Sequence, residues 1–141
     1  MRIICGFVFL FVFVFSTLSF AGQHTVEIVD MEGRTVKAPF DPERIVCLGP
    51  GALRLIVYLQ AQDKVVGVED MEKRNPGGRP YWIANRDLAK LPRCGPGGPA
   101  SINKKPDLEA LVSLRPDVLF VTYMDASLAD EIQKILGIPV A

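Results

Sequence analysis

Histidine is nearly missing from this sequence, with His24 the one example among 141 residues. That scarcity makes a Ser-His-Asp or Cys-His arrangement hard to build. No Cys/His cluster has zinc-site spacing. Neither sign of charge is in excess, since 16 basic residues face 16 acidic ones. Such a balance gives no electrostatic footprint for nucleic acid or for an anionic membrane surface. Phosphate-cradling fingerprints are missing as well. The segment "GPGALR", Gly49 to Arg54, lacks Gly-x-Gly-x-x-Gly spacing and the lysine and hydroxyl of a P-loop. Cysteine is scarce. Cys5 stands near the start of an apolar run instead of closing it, unlike a lipid-attachment cysteine. Cys47 and Cys94 could pair in an oxidising compartment or stay as buried thiols, and the sequence leaves both readings open.

What is present begins with a leader. "MRIICGFVFLFVFVFSTLSFA" carries one charge, Arg2, ahead of an apolar run from Ile3 to Phe15. Ser19 and Ala21 stand at the −3 and −1 positions of a cleavage site, which is the layout of a secretory signal over residues 1–21. An uncleaved anchor is the competing reading, because the run approaches the ~20 residues that span a bilayer. Six of the eight phenylalanines lie in this leader, so overall hydropathy overstates the mature core. About 120 residues remain, enough for one domain with a single core.

Two patterns divide the mature chain. Over 22–43, "TVEIVDMEGRTVKAP" alternates apolar and polar residues around Met31-Glu32-Gly33, which predicts a β-hairpin. From 44 to 141 the rhythm changes to short apolar runs separated by helix-length segments. Ile45–Leu48, Val65–Val68, Val118–Val121 and Ile138–Val140 read as buried strands. Ala52, Leu55, Ile56 and Leu59 mark one helix face, as do Leu108, Leu111, Val112 and Leu114 on a second helix, with Asp107 near its start. Leu128, Ile132, Ile135 and Leu136 mark a third helix, and Pro80–Lys90 predicts another with proline in its first turn. The expected class is α/β: an open, mostly parallel sheet flanked by helices and preceded by the hairpin.

Ligands of open parallel sheets bind beyond the carboxyl ends of the strands. The loops to consider are therefore Gly49-Pro50-Gly51, Glu69-Asp70 through Arg79-Pro80-Tyr81, Gly95-Pro96-Gly97-Gly98-Pro99, and Thr122-Tyr123-Met124-Asp125. Glycine lets backbone N–H groups approach a ligand, and proline keeps a loop from collapsing without one. Each Gly-Pro loop alone reads more readily as a tight turn; two on one sheet edge shift the reading toward a rim. Candidate ligand contacts are Gly49, Pro50, Gly51, Gly97, Gly98 and Tyr123. Tyr123 would present its ring at the cleft, to stack on a ligand or to supply a phenolate oxygen. Arg79, as a partner for a ligand carboxylate, and Tyr81 join them from a neighbouring loop. Glu109 should face solvent on its helix.

The combination "RIVCLGP … VVGVED … KPDLEALVSLRPDVLFV", with "LGIPV" after it, resembles the N-terminal lobe of periplasmic substrate-binding proteins of ABC importers. The branch resembled carries iron–siderophore complexes, haem and vitamin B12. The likeness covers Asp41 to Ala141 and implies a metal-chelate ligand held at one wall of a cleft. It implies no catalysis, no cofactor and no nucleic-acid partner. It places the mature protein in the periplasm, working with an ABC permease of the inner membrane, and gives Glu109 the role of docking to that permease. Members have two lobes joined by a long helix. A chain of about one lobe is expected to be a truncated product or a fragment, whose single wall would hold ligand weakly. A periplasmic chelatase-like enzyme and a sensor or adaptor lobe are the alternatives.

If the leader reading is right, exported material begins at Gly22. Intact-mass measurement of the secreted chain checks this, and a membrane-integrated product retaining Met1 would contradict it.

Overall fold

The structure is a computed structural model that describes residues 24–74 and 77–141; the leader lies outside the described residues. The chain opens with the expected hairpin. Strands β1 (Thr25–Val29) and β2 (Thr35–Pro39) pair antiparallel, with Ile28 opposite Val36. Asp30 organises the turn between them, its carboxylate accepting from the backbone N–H groups of Glu32 and Arg34. This is the local bonding that makes aspartate a turn residue.

Three strands form the parallel sheet: β3 (Ile45–Leu48), β4 (Val65–Gly67) and β5 (Val118–Val121), in the spatial order β4-β3-β5. Single parallel bridges extend it at both sides, Val68 with Arg93 and Leu119 with Val140. From β3 the chain first builds outward through β4 to Arg93. It then crosses back to add β5 and Val140 on the other side. The order reverses between β3 and β5, which is where open α/β sheets leave a crevice.

Both faces of the sheet are covered, and β3 shows how. Its four residues are all buried. Because strand side chains alternate, Ile45 and Cys47 enter one apolar layer and Val46 and Leu48 the other. Helices α1 (Ala52–Tyr58) and α3 (Pro80–Ala84) supply Leu53, Ile56, Tyr81 and Trp82 to the first layer. The second layer takes Leu111 and Leu114 from α4 (Leu108–Leu114), and Ala129 and Ile132 from α5 (Ala126–Leu136). The short helix α2 (Asp70–Arg74) follows β4. Asp107 caps α4 by accepting the Ala110 N–H at 3.1 Å, and Gly137 closes α5 with a left-handed backbone.

Several expectations about helices need correction. The segment Pro80–Lys90 is not one helix but α3 followed by a 3₁₀ turn, Arg86–Lys90. Asn85 divides them, with a non-helical backbone and a side-chain amide that donates to the Tyr81 carbonyl at 2.7 Å. Such local bonding competes with the helical ladder. In α1 the buried stripe is Ala52, Leu53 and Ile56; Leu55 and Leu59 are exposed. The helix ends at Tyr58, so Leu59 has already left its surface. Val112 on α4 and Ile135 on α5 also face outward, because Leu111, Leu114, Ala129 and Ile132 already fill the layer. The last expected strand is reduced to the pairing of Pro139–Ala141 with β5.

Cys47 and Cys94 are free and buried, and they belong to opposite layers. Burial pushes the Cys94 thiol up to about 12 and raises Cys47 as well. Both therefore behave as small apolar residues and not as nucleophiles.

Candidate functional site at the carboxyl edge of the sheet

All four loops singled out in the sequence meet at this edge. The first contact is steric. Gly49 has φ +92°, and a Cβ there would stand 2.4 Å from the Thr122 carbonyl oxygen. Only glycine allows the loops after β3 and β5 to come so close. Thr122 then fastens them, its N–H donating to the Leu48 carbonyl and its hydroxyl to the Pro50 carbonyl, each at 3.0 Å.

The second contact crosses to the loop after β4. The Gly49 N–H donates to Glu69 Oε1 at 3.2 Å. Glu69 in turn sits against Gly97, where a Cβ would come within 2.6 Å of its own. Gly98 has the same relation to Met71, at 2.8 Å from its terminal methyl. Backbone bonds from Asp70 to Gly95 and from Met71 to Pro96 complete the seam. The glycines of this edge thus serve packing first: they let three loops and a buried acid occupy one small volume.

Two acids are buried here, Glu69 and Glu72, each 8% exposed. They are satisfied differently. Glu72 Oε2 accepts from the Tyr81 hydroxyl at 2.8 Å and from Arg79 at 3.0 Å. Arg79 also donates to the Met71 carbonyl. Burial, together with the Glu72 charge, pushes the Tyr81 hydroxyl well above the usual phenol range. The Glu69 carboxylate accepts a single described hydrogen bond, the one from the Gly49 N–H. Burial raises its carboxyl above the usual range, with the Glu72 charge adding to it and the Gly49 bond opposing it.

Two clefts open around Glu69, and both include Gly49 in their walls. One is narrow, about 30 Å³, and runs between Gly97, Ser101, Lys104 and Tyr123. The other, about 410 Å³, lies over Pro50, Gly51, Arg54, Arg79, Tyr81 and Gly98. A third, apolar groove passes from Ile28 and Leu55 to Phe120 and the ring of Tyr123. Every candidate contact expected from the sequence therefore lines the edge. Arg79 and Tyr81, however, are engaged with Glu72 and present less of themselves to a ligand. Tyr123 is 69% exposed with φ +57°. Next to it, the Asn103 side chain clasps Asp125, accepting its backbone N–H and donating to its carboxylate.

Some site residues escaped the sequence reading. Arg54 and Lys104 line the clefts and form no ion pair among the described residues. Glu69 stands in a loop that the sequence marks, directly after a buried strand, but not among the expected contacts. Glu109 is exposed on α4, apart from the clefts.

The described architecture can be compared with known proteins. No protein-family model matches the chain. It is 32% identical over 126 residues to the molybdate-binding protein MolA of Haemophilus influenzae, covering 89% of this chain and 34% of that protein. The solved structure of molybdate-bound MolA superposes with a TM-score of 0.65 at 30% identity, over 82% of this chain and 33% of that one. This is the fold of one lobe of a periplasmic binding protein. The catecholate-siderophore binding protein VctP of Vibrio cholerae has the same architecture, with a TM-score of 0.58 and 26% identity over 83% of this chain and 36% of that one. The heme-binding protein HmuT shares the fold at 20% identity and a TM-score of 0.58, over 84% of this chain and 34% of that one. The chain spans about one third of the length of each.

The packing at Gly49 predicts a contrast between two glycines of positive φ. Gly33→Ala meets no atom within 4 Å and should cost only the left-handed backbone penalty, about 1–2 kcal/mol. Gly49→Ala adds the clash with Thr122 and should cost clearly more. Urea unfolding of the two variants checks this; equal losses would mean that the close approach carries no weight.

Proposed function

We propose that this chain is a ligand-binding lobe of the solute-binding component of an ABC importer, acting in the periplasm. Its ligand is a metal in anionic form, seated on Gly49–Gly51, Gly97, Gly98 and Tyr123. The observation that carries the anionic preference is the pair of cations at the clefts, Arg54 and Lys104, without ion-pair partners among the described residues. Backbone N–H groups of glycine loops suit the same ligands, since they present positive partial charge with no side chain in the way. Likeness to a molybdate-binding protein supports a molybdate-type oxyanion as the first reading.

A metal chelate (an iron–siderophore complex, haem or a corrinoid) is the second reading. It is favoured by the exposed Tyr123 ring beside an apolar groove lined by Leu55 and Phe120. A flat, partly apolar chelate would stack there, where a bare oxyanion gains nothing from the ring.

Fluorescence titration through Trp82 distinguishes them, with molybdate, a ferric catecholate complex and haem as probes. Charge-assisted hydrogen bonds are worth roughly 1.5–3 kcal/mol, so Arg54→Ala and Lys104→Ala should each weaken the bound probe by about tenfold or more. Tyr123→Ala should weaken a chelate and leave molybdate unchanged. An affinity indifferent to Arg54 and Lys104 would count against an anionic ligand.

Glu109 is proposed as a permease contact. It is exposed near the start of α4, a helix anchored to the core by Leu111 and Leu114. A carboxylate held on a rigid helix suits bidentate pairing with arginine, which fixes orientation. The informative comparison is Glu109→Arg in a full two-lobed protein carrying this lobe. Transport should fall while ligand affinity stays constant, and loss of both together would point to folding instead.

A further inference from the structure

The clefts contain a feature at odds with a site for anions: the carboxyl group of Glu69 lies at the floor common to both. Glu69 is buried, its Oε1 accepts one hydrogen bond from Gly49, and its Oε2 faces the Gly97 loop. Nearby charges do not neutralise it. Glu72, one turn along α2, is an acid that keeps Arg79 and Tyr81 of α3 for itself. Arg54 of α1 lines the wider cleft and Lys104 the narrow one, and neither has a described hydrogen bond or ion pair to Glu69. Lys105, in the narrow cleft, pairs with Glu131 at 2.6 Å. The remaining titratable groups around it are Asp70, which Arg93 holds, the tyrosines Tyr58 and Tyr123 of the cleft walls, and the buried neutral thiols Cys47 of β3 and Cys94.

An anion seated over this floor would bring its oxygens toward a carboxylate with spare lone pairs. Two acceptors cannot share a contact without a hydrogen between them. We propose that Glu69 and the bound anion hold one proton between them, so that binding at this site takes up a proton and Glu69 sets its pH dependence. This rests on the anionic-ligand reading above. The proton comes from solvent, and it is shared whether the acid or the ligand is its formal owner. Oxygen-rich ligands that accept or carry a proton are then admitted, and the raised carboxyl of Glu69 suits that role. Gly49 gives the device its geometry, because its N–H holds one carboxyl oxygen and leaves the other to the ligand. The sign follows directly. As pH rises above the titration of Glu69, the shared proton must be supplied against a falling concentration, so affinity falls by up to tenfold per pH unit.

The experiment is calorimetric titration of the wild-type chain with molybdate, and in parallel with a ferric catecholate complex, in two buffers of different ionisation enthalpy. Uptake approaching one proton per bound anion is expected, with affinity declining as pH rises. Glu69→Gln keeps an acceptor for the Gly49 N–H and presents amide hydrogens to the ligand. It should bind with little proton uptake and a flat pH profile. Binding by the wild type without proton uptake, or the same pH slope in Glu69→Gln, would overturn the role of Glu69 and leave the importer reading intact. Absence of binding by either probe at every pH would remove the anionic-ligand reading, and the inference with it. The wild-type measurement needs no variant, so a folding defect in Glu69→Gln does not protect the proposal.

Discussion

The tight approach of Gly49 to Thr122 is the constraint that the rest of the edge follows. β3 and β5 are parallel neighbours at the point where the strand order reverses. Their outgoing loops must part toward opposite faces of the sheet, yet they start side by side. A left-handed glycine lets the first loop turn away at once, and the Thr122 hydroxyl ties it down at Pro50. With Gly49 fixed, its N–H is aimed at Glu69, and Glu69 leaves room beside it only for Gly97. Three loops from distant parts of the chain are thereby set by one backbone conformation. The rim is consequently a laced unit, and a disturbance at Gly49 reaches Gly97 through the Glu69 side chain.

The sheet was legible because its residues obey a simple period. Ile45–Leu48 and Val118–Val121 are continuous apolar runs, as strands covered on both faces require. The hairpin showed itself by alternation around Gly33. Helix faces were harder, because seven-residue helices such as α1 and α4 make too few turns for a stripe to be unambiguous. In α1 both Leu53 and Leu55 are candidates for the core, and only the placement of the helix against β3 chooses Leu53. The break at Asn85 depends on one side-chain amide bonding to Tyr81, which pattern counting does not see. Within the site, positions were readable from loop order alone. Partnerships were not: Arg79 and Tyr81 reach the edge as expected, but a buried acid ten or fewer residues away claims both.

The two buried glutamates show why partnership matters more than position. Burying a carboxylate without compensation is expensive, so the charge is either paired or avoided by protonation. Glu72 follows the first route, with a guanidinium and a phenol on the same oxygen. Glu69 has only a backbone N–H, and its carboxyl is accordingly displaced upward. The same sequence neighbourhood, "VEDMEKR", thus holds one acid that behaves as structure and one that stays open to exchange. Arg93 finishes the separation of roles by bridging Asp70 and Asp107, each at 2.9 Å, so that the third acid of the segment serves the fold as well.

An open edge also governs how strongly these groups act. Arg54 and Lys104 face solvent, where a charge pair at 4 Å is worth only about 1 kcal/mol. The same pair beneath a covering surface would be worth several times more, because the effective dielectric falls as water leaves. Glu69 differs from both cations in being buried already, so its preference for a shared proton does not wait on closure. The cations would therefore respond strongly to whatever covers the edge, and Glu69 weakly. On the proposed reading, selectivity for a protonated contact is built into the wall itself, whereas strength of holding would depend on how completely a bound anion is enclosed.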